Sequence, residues 1–448
     1  MTSTVALRGR VPGAITATVE DVGHRRAVVV RADSSHRRGA LTPDDGETIA
    51  VAARTALAER LPLVVWLASS GADVHAGVAA LHGWGSAARQ LVSCSGIVPT
   101  IIVVTGPAVS GPALLLGLAD LVVMTTDAYA FLSGPRMVHA FTGVPIDVDA
   151  LGGPDAHARH SGVAALLATD EAAATELVAD VLGYLPDHND EEPPLVDDTD
   201  PVDRATPEAG TVLPASATGS YDVRHLIEII TDTGSFLELH PSWAGNLVTG
   251  LATVGGRPIG VVANQPMTIA GTLDIPASQK GARFVAWCDA FNLPLVTLVD
   301  TPGFYPGKDL EWRGMIRKGA QLAFAYARAS VPRVSITLRK SYGGAYIVMD
   351  SKRMGCDLAL AWPMAEIAVM GARGAVEILH RRADPEDRVS LELDYEERLL
   401  NPYVAAERGL IDAVIEPAET RQQLAAAIEA LSSKREKLGP RAHDNTPL

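Results

Sequence analysis

The chain reads as an α/β protein built from two similar halves. Three features predict this: strand-length apolar runs alternate with helical patterns, the same ordered series of segments occurs twice, and one polar stretch separates the two series. In the first half the runs are AVVVRA (27–32), LPLVVWLA (61–68) and PTIIVVTG (99–106). Such runs suit parallel strands covered on both faces. Between the first two, GETIAVAARTALAER (46–60) repeats its apolar residues at helical spacing. In the second half IGVVANQ (259–265), LPLVTLVD (293–300) and RVSITLRK (333–340) repeat the theme.

From about 185 to 220 the chain is rich in Pro, Asp and Glu and lacks apolar periodicity. That composition predicts an extended connector between a domain at 1–184 and a domain at 221–448. The duplication shows in detail. LPLV occurs at 61–64 and again at 293–296, each time followed by a glycine loop, Ser69-Ser70-Gly71 or Thr301-Pro302-Gly303. A helical segment and a Val-Pro strand start come next, at Val98-Pro99 and Val331-Pro332. Each strand then enters a small-residue turn, GPAVSGPA (106–113) or KSYGGAYI (340–347). Two copies of one unit predict two related sites, each serving one half of a reaction.

Composition narrows the function. With 448 residues, 47% hydrophobic and 20% charged, the chain can fill two cores of ordinary size. The net charge of −15 repels nucleic acid, and any phosphate-bearing ligand needs a local basic patch. His36-Arg37-Arg38 is one, a solvated loop or a phosphate contact. Cys94, Cys288 and Cys356 are too dispersed for a zinc site, and the twelve histidines show no metal-ligand spacing. MTSTVALRGRVPG has no signal-peptide core, and Pro99, Pro107, Pro112 and Asp120 interrupt the longest apolar stretch. The expectation is a cytoplasmic protein with no metal and no membrane or nucleic-acid partner.

The loops carry the chemical signal. Gly343-Gly344-Ala345 ends a buried strand and opens a helix, where backbone amides lack helical acceptors and can hold an oxygen gaining negative charge. Ser70 and Gly71 are the counterpart in the first half, with Gly111 a further donor and Pro112 unable to donate. Packing glycines and an ordinary turn with a helix cap are the plain alternatives. No phosphate loop, dinucleotide fingerprint or obvious Ser-His-Asp set is present. This favours enolate chemistry at oriented amides.

Three stretches carry a resemblance: WAGNLVTGLATVGGRPIGVVANQP (243–266), AGTLDIPASQKGARFVAWCDAFNLPLVTLVDTPGFYPG (270–307) and RKSYGGAYIVMDSKRMGCDLALAWPMAEIAVMGARGAVEIL (339–379). LGGPDAHARHSGVA (151–164) and the tail KREKLGPRAHDNTPL add to it. The chain resembles the carboxyltransferase β subunits of biotin-dependent acetyl-CoA and propionyl-CoA carboxylases, whose fold is two crotonase-like domains.

The resemblance implies an acyl-CoA-binding N-terminal domain and a biotin-binding C-terminal domain. It also implies transfer of a carboxyl group from carboxybiotin to the α-carbon of a short acyl-CoA. It assigns the biotin ureido oxygen to Gly344 and Ala345, beside Gly343. The thioester enolate goes to the amides of Ser70 and Gly71, and acyl-length selection to Ile347; the basic spot at Arg37 and Arg38, read from its charge alone, is the place for a CoA phosphate. Biotin arrives on a separate biotinylated α subunit, and the expected assembly is a hexamer, a trimer of dimers. Departures from the family lie in the first half: Ser70 stands for a glycine, Asp73 for an arginine, and Ser110-Gly111-Pro112 for a more open glycine turn. Two other readings stay open: a malonyl- or methylmalonyl-thioester decarboxylase, and a non-catalytic β-like subunit.

Overall fold

The computed structural model describes residues 5–7, 13–197, 200–216, 218–436, 439 and 445–447. Parts of the N-terminal segment and of the KREKLGPRAHDNTPL tail lie outside them. The chain divides into two compact units, one of residues 1–194 with 240–243, the other of 195–239 with 244–448.

The first unit holds a mixed eight-stranded sheet: β1 (Val5–Leu7), β2 (Ile15–Val22), β3 (Arg25–Ala32), β4 (Leu63–Ser69), β5 (Thr100–Val109), β6 (Leu121–Thr125), β7 (Tyr129–Phe131) and β8 (Leu166–Ala168). The order is β1-β2-β3-β4-β5-β6-β8, with β7 paired to β5. Strands β1 to β3 pair antiparallel; the rest are parallel.

The second unit repeats the design with β9 (Leu237–Leu239), β10 (Leu247–Val254), β11 (Arg257–Asn264), β12 (Leu295–Thr301), β13 (Arg333–Tyr342), β14 (Leu358–Ala361), β15 (Glu366–Ala368) and β16 (Ala413–Val414). Its order is β16-β14-β13-β12-β11-β10-β9, with β15 paired to β13. Strands β4 and β12 are buried at every position, which is why their sequences are mostly apolar instead of alternating.

The helices start alike too. Thr42 caps the helix Pro43–Glu59 in a reciprocal capping box with Asp45, and Asp274 caps Ile275–Ala290 by accepting from the Ala277 amide. Both sheets shift register at one place, between Leu67 and Ser69 in the first and between Val299 and Thr301 in the second. A bulge there re-aims the chain leaving the strand, so the two loops that follow take one course.

The acidic Pro-rich segment is not a free tether. Leu185 is fully buried, and Asp187 and Asp190 pair with Arg25 and Arg60 of the first unit at 2.6 and 2.8 Å. Farther on, Val196 donates its amide to the Gly256 carbonyl, and Thr206 donates to the Ala418 carbonyl, both in the second unit. Thr206 and Ala209 are fully buried. Ion pairs and a few apolar anchors therefore fasten a stretch whose composition predicts a connector, and the division falls at 194/195. Among the described residues no helix is long and apolar enough to cross a membrane.

Candidate functional site

In each unit the loop after β4 or β12 meets the turn after β5 or β13. A glycine in left-handed conformation lets a short turn press on each loop: Gly39 (φ 68°) in the first unit, Gly271 (φ 71°) in the second. A methyl group on Gly39 would stand 2.0 Å from the Ala68 carbonyl oxygen, and one on Gly271 2.6 Å from that of Asp300. No side chain fits at either place.

The amides of the first loop can be accounted for one by one. Ser70 donates to the Arg38 carbonyl at 3.0 Å, Gly71 to Ser69 Oγ at 3.3 Å, and Asp73 to the Leu41 carbonyl at 2.8 Å. That leaves Ala72, half-buried, with no acceptor among the described residues. The second loop repeats the pattern. Pro302 has no N–H, Gly303 donates to Thr301 Oγ1 at 3.3 Å, Tyr305 donates to the Leu273 carbonyl at 2.9 Å, and Phe304 is left. The expected donors Ser70 and Gly71 are thus committed inside the chain, and the amide open to a ligand is that of Ala72. Proline at the matching position of the other half was the available signal in the sequence.

The turn after each long strand supplies the second donor. Strand β5 ends at Val109 and β13 at Tyr342, so Ser110, Gly111 and Pro112 correspond to Gly343, Gly344 and Ala345. Gly111 is half-buried and Gly344 exposed, each at the head of a six-residue helix where no preceding helical carbonyl is in reach. Ala345, the next residue of the turn, is fully buried. The reachable donors are Ala72 with Gly111 in the first unit and Phe304 with Gly344 in the second.

Ser110 and Gly343 both have a positive φ, 62° and 59°. Glycine adopts it freely; a serine there (ψ −127°) carries strain on the order of 1–3 kcal/mol.

Around Gly344 two cavities open, of about 410 and 570 Å³, and both are lined by Gly344 and Ile347. The smaller runs along Phe304, Met315 and Gly319, the larger along Ile367, Val404 and Leu410. Beneath the turn lies a buried ionic cluster that motif reasoning missed. The Asp300 carboxylate accepts from Arg339 Nε at 3.1 Å, from the Tyr221 hydroxyl at 2.9 Å and from the Lys340 amide at 3.1 Å. Arg339 also donates to the Gly219 carbonyl at 2.8 Å. Burial, reinforced by the Asp300 charge, pushes the Tyr221 phenol well above its ordinary range. This cluster fixes the ends of β12 and β13, the two strands that carry the loop and the turn. Tyr342, next to Gly343, donates to Glu366, and burial raises its phenol as well.

On the first unit, Arg37 pairs with the buried carboxylate of Asp73 at 2.7 Å while Arg38 is exposed beside it. The basic spot and the loop therefore converge, although 32 positions separate Arg38 from Ser70 in the sequence. Among the described residues no group of three His, Cys, Asp or Glu side chains is placed to hold a metal ion.

The sequence pattern of the Carboxyl transferase domain matches residues 12–446. The chain belongs to the carboxyl transferase family. This carboxyltransferase is 42% identical to the propionyl-CoA carboxylase β chain of Saccharopolyspora erythraea, over 95% of this chain and 82% of that one. It is 41% identical to the methylmalonyl-CoA carboxyltransferase 12S subunit of Propionibacterium freudenreichii subsp. shermanii, over 88% of this chain and 76% of that one. A crystal structure of transcarboxylase 12S, a hexamer with methylmalonyl-CoA and methylmalonic acid bound, superposes with a TM-score of 0.95 at 38% identity. It covers 97% of this chain and 85% of that one. The carboxyltransferase thus has the duplicated crotonase-like fold, with two mixed sheets flanked by helices.

Proposed function

We propose that this carboxyltransferase moves a carboxyl group between biotin and the α-carbon of a short acyl-CoA, such as acetyl-CoA or propionyl-CoA. The observation that carries the reading is the matched pair of amide holes. Ala72 and Gly111 are free to face one developing oxyanion, Phe304 and Gly344 another. Enolate chemistry needs this arrangement, because two carbonyl oxygens gain charge in turn and each well-placed donor is worth about 3 kcal/mol.

The second unit suits the biotin ring: an apolar cavity of about 410 Å³ with glycines at its wall and no charge to desolvate besides Glu311. There the Gly344 amide holds the ureido oxygen, with Phe304 beside it and Gly343 and Ala345 shaping the turn. Bound biotin supplies the transferable carboxyl group and the base for the α-proton. In the first unit Ala72 and Gly111 hold the thioester oxygen, and Arg37 and Arg38 lie where a CoA phosphate can meet them. Ile347, on the wall of both cavities, selects acyl length.

The expected partner is a biotinylated α subunit, and the expected assembly is a hexamer like that of the 12S relative. Three buried cysteines, none in a disulfide, agree with a reducing cytoplasm. Gly344→Pro removes one donor from the biotin hole in a backbone that accepts proline at the start of a helix. Transfer should fall about a hundredfold in the correctly folded variant. Unchanged turnover would refute the assignment.

A further inference from the structure

We infer that the hydroxyl of Ser110 is a third oxyanion donor in the acyl half, a catalytic group with no counterpart in the biotin half. The inference rests on the proposed transfer reaction. Three observations support it.

The first is placement. Ser110 joins β5 to Gly111, and its Cβ lies 3.9 Å from where a Cβ on Gly71 would stand. Its side chain therefore borders the peptide that carries the free Ala72 amide, and it adjoins Gly111 on the other side.

The second is availability. Ser110 begins a helix yet makes no side-chain capping bond, which is the ordinary use of serine at that position. Its backbone is already served, the amide donating to the Phe131 carbonyl at 2.9 Å and the carbonyl accepting from Ala113 at 3.1 Å. The residue is exposed, and its hydroxyl has no partner among the described residues.

The third is the comparison the duplication provides. Gly343 stands at the matching position of the second unit with the same positive φ, so a glycine serves that turn without strain. The first unit carries a side chain where the fold prefers none, and that side chain ends in a donor. A strained residue that makes no compensating contact of its own points to function at the site it faces. As the α-proton leaves, the thioester C=O π pair moves onto its oxygen, and the hydroxyl donates a hydrogen bond to that oxygen without breaking its own O–H bond; the π bond re-forms when the α-carbon takes the carboxyl group.

Ser110→Gly separates this role from a packing role, because the two predict opposite signs. Biotin-dependent loss of the carboxyl group from malonyl-CoA and methylmalonyl-CoA is followed for the parent, Ser110→Gly and Ser110→Ala, together with the melting temperature of each. A catalytic hydroxyl predicts that kcat falls ten- to a hundredfold in both variants with little change in KM. The glycine variant should melt at the same or a higher temperature. Equal or faster turnover in Ser110→Gly, from a parent that is active, overturns the inference and leaves the transfer reaction standing. An inactive parent, assayed with a biotinylated partner present, overturns both.

Discussion

Arg37 and Asp73 form an ion pair of 2.7 Å at the edge of the first loop, with the carboxylate buried and the guanidinium largely in solvent. Asp73 also accepts from the His75 amide at 3.0 Å through its other oxygen, so one of its two oxygens stays bonded if Arg37 is removed. The pair therefore governs how much positive charge the loop offers a ligand. Asp73→Asn should release Arg37 and lower KM for acyl-CoA, whereas Arg37→Ala should raise it. The scale is up to about fivefold either way, the range of a partly exposed ion pair. Turnover at saturation should not change, and a steady-state titration at two salt concentrations checks both directions.

Ser70→Pro tests the identity of the acyl donors. Proline occupies the matching position of the second unit at Pro302, so the loop geometry accommodates it. The substitution removes only the bond to the Arg38 carbonyl, at a cost of about 1 kcal/mol in stability. With Ala72 and Gly111 as donors, kcat should stay within about twofold. A hundredfold loss in a folded variant would return the role to Ser70.

Lys280 lies on the helix Ile275–Ala290 and is almost wholly buried. Burial pushes its ammonium down from 10.5 to about 7; Glu238 opposes the shift and Arg224 adds to it. Between these values the unfolded chain binds a proton that the folded chain does not, so this group makes stability rise as pH increases from about 7 to 10.5. Lys280→Met should flatten that rise. Urea midpoints at pH 7 and pH 10 for parent and variant decide it: parallel changes in the two proteins would contradict the sign.

Much of the architecture was legible in the sequence because duplication leaves paired marks. LPLV at 61–64 and 293–296 begins β4 and β12, and each Val-Pro pair immediately precedes or opens the next long strand. The turn at Gly343-Gly344 was legible because small residues after a buried strand have few other uses. The choice among loop amides was not, since it depends on the Arg38 carbonyl reaching Ser70 from a distant turn. The Asp300 cluster gathers Tyr221, Asp300 and Arg339 from three separate segments, and no local pattern announces it. In the acidic stretch the charges obscured the anchors Leu185, Thr206 and Ala209, whose burial depends on neighbours far along the chain.

The most direct test of the transfer reaction is its reverse on the purified chain. Malonyl-CoA and methylmalonyl-CoA are each incubated with and without free biotin, and the loss of the carboxyl group is followed by mass spectrometry. Loss that depends on biotin is the predicted result, and the faster substrate identifies the acyl group that the site prefers. Loss without biotin would make the chain a thioester decarboxylase. No loss even with a biotinylated partner present would show that the first unit is not a working acyl site.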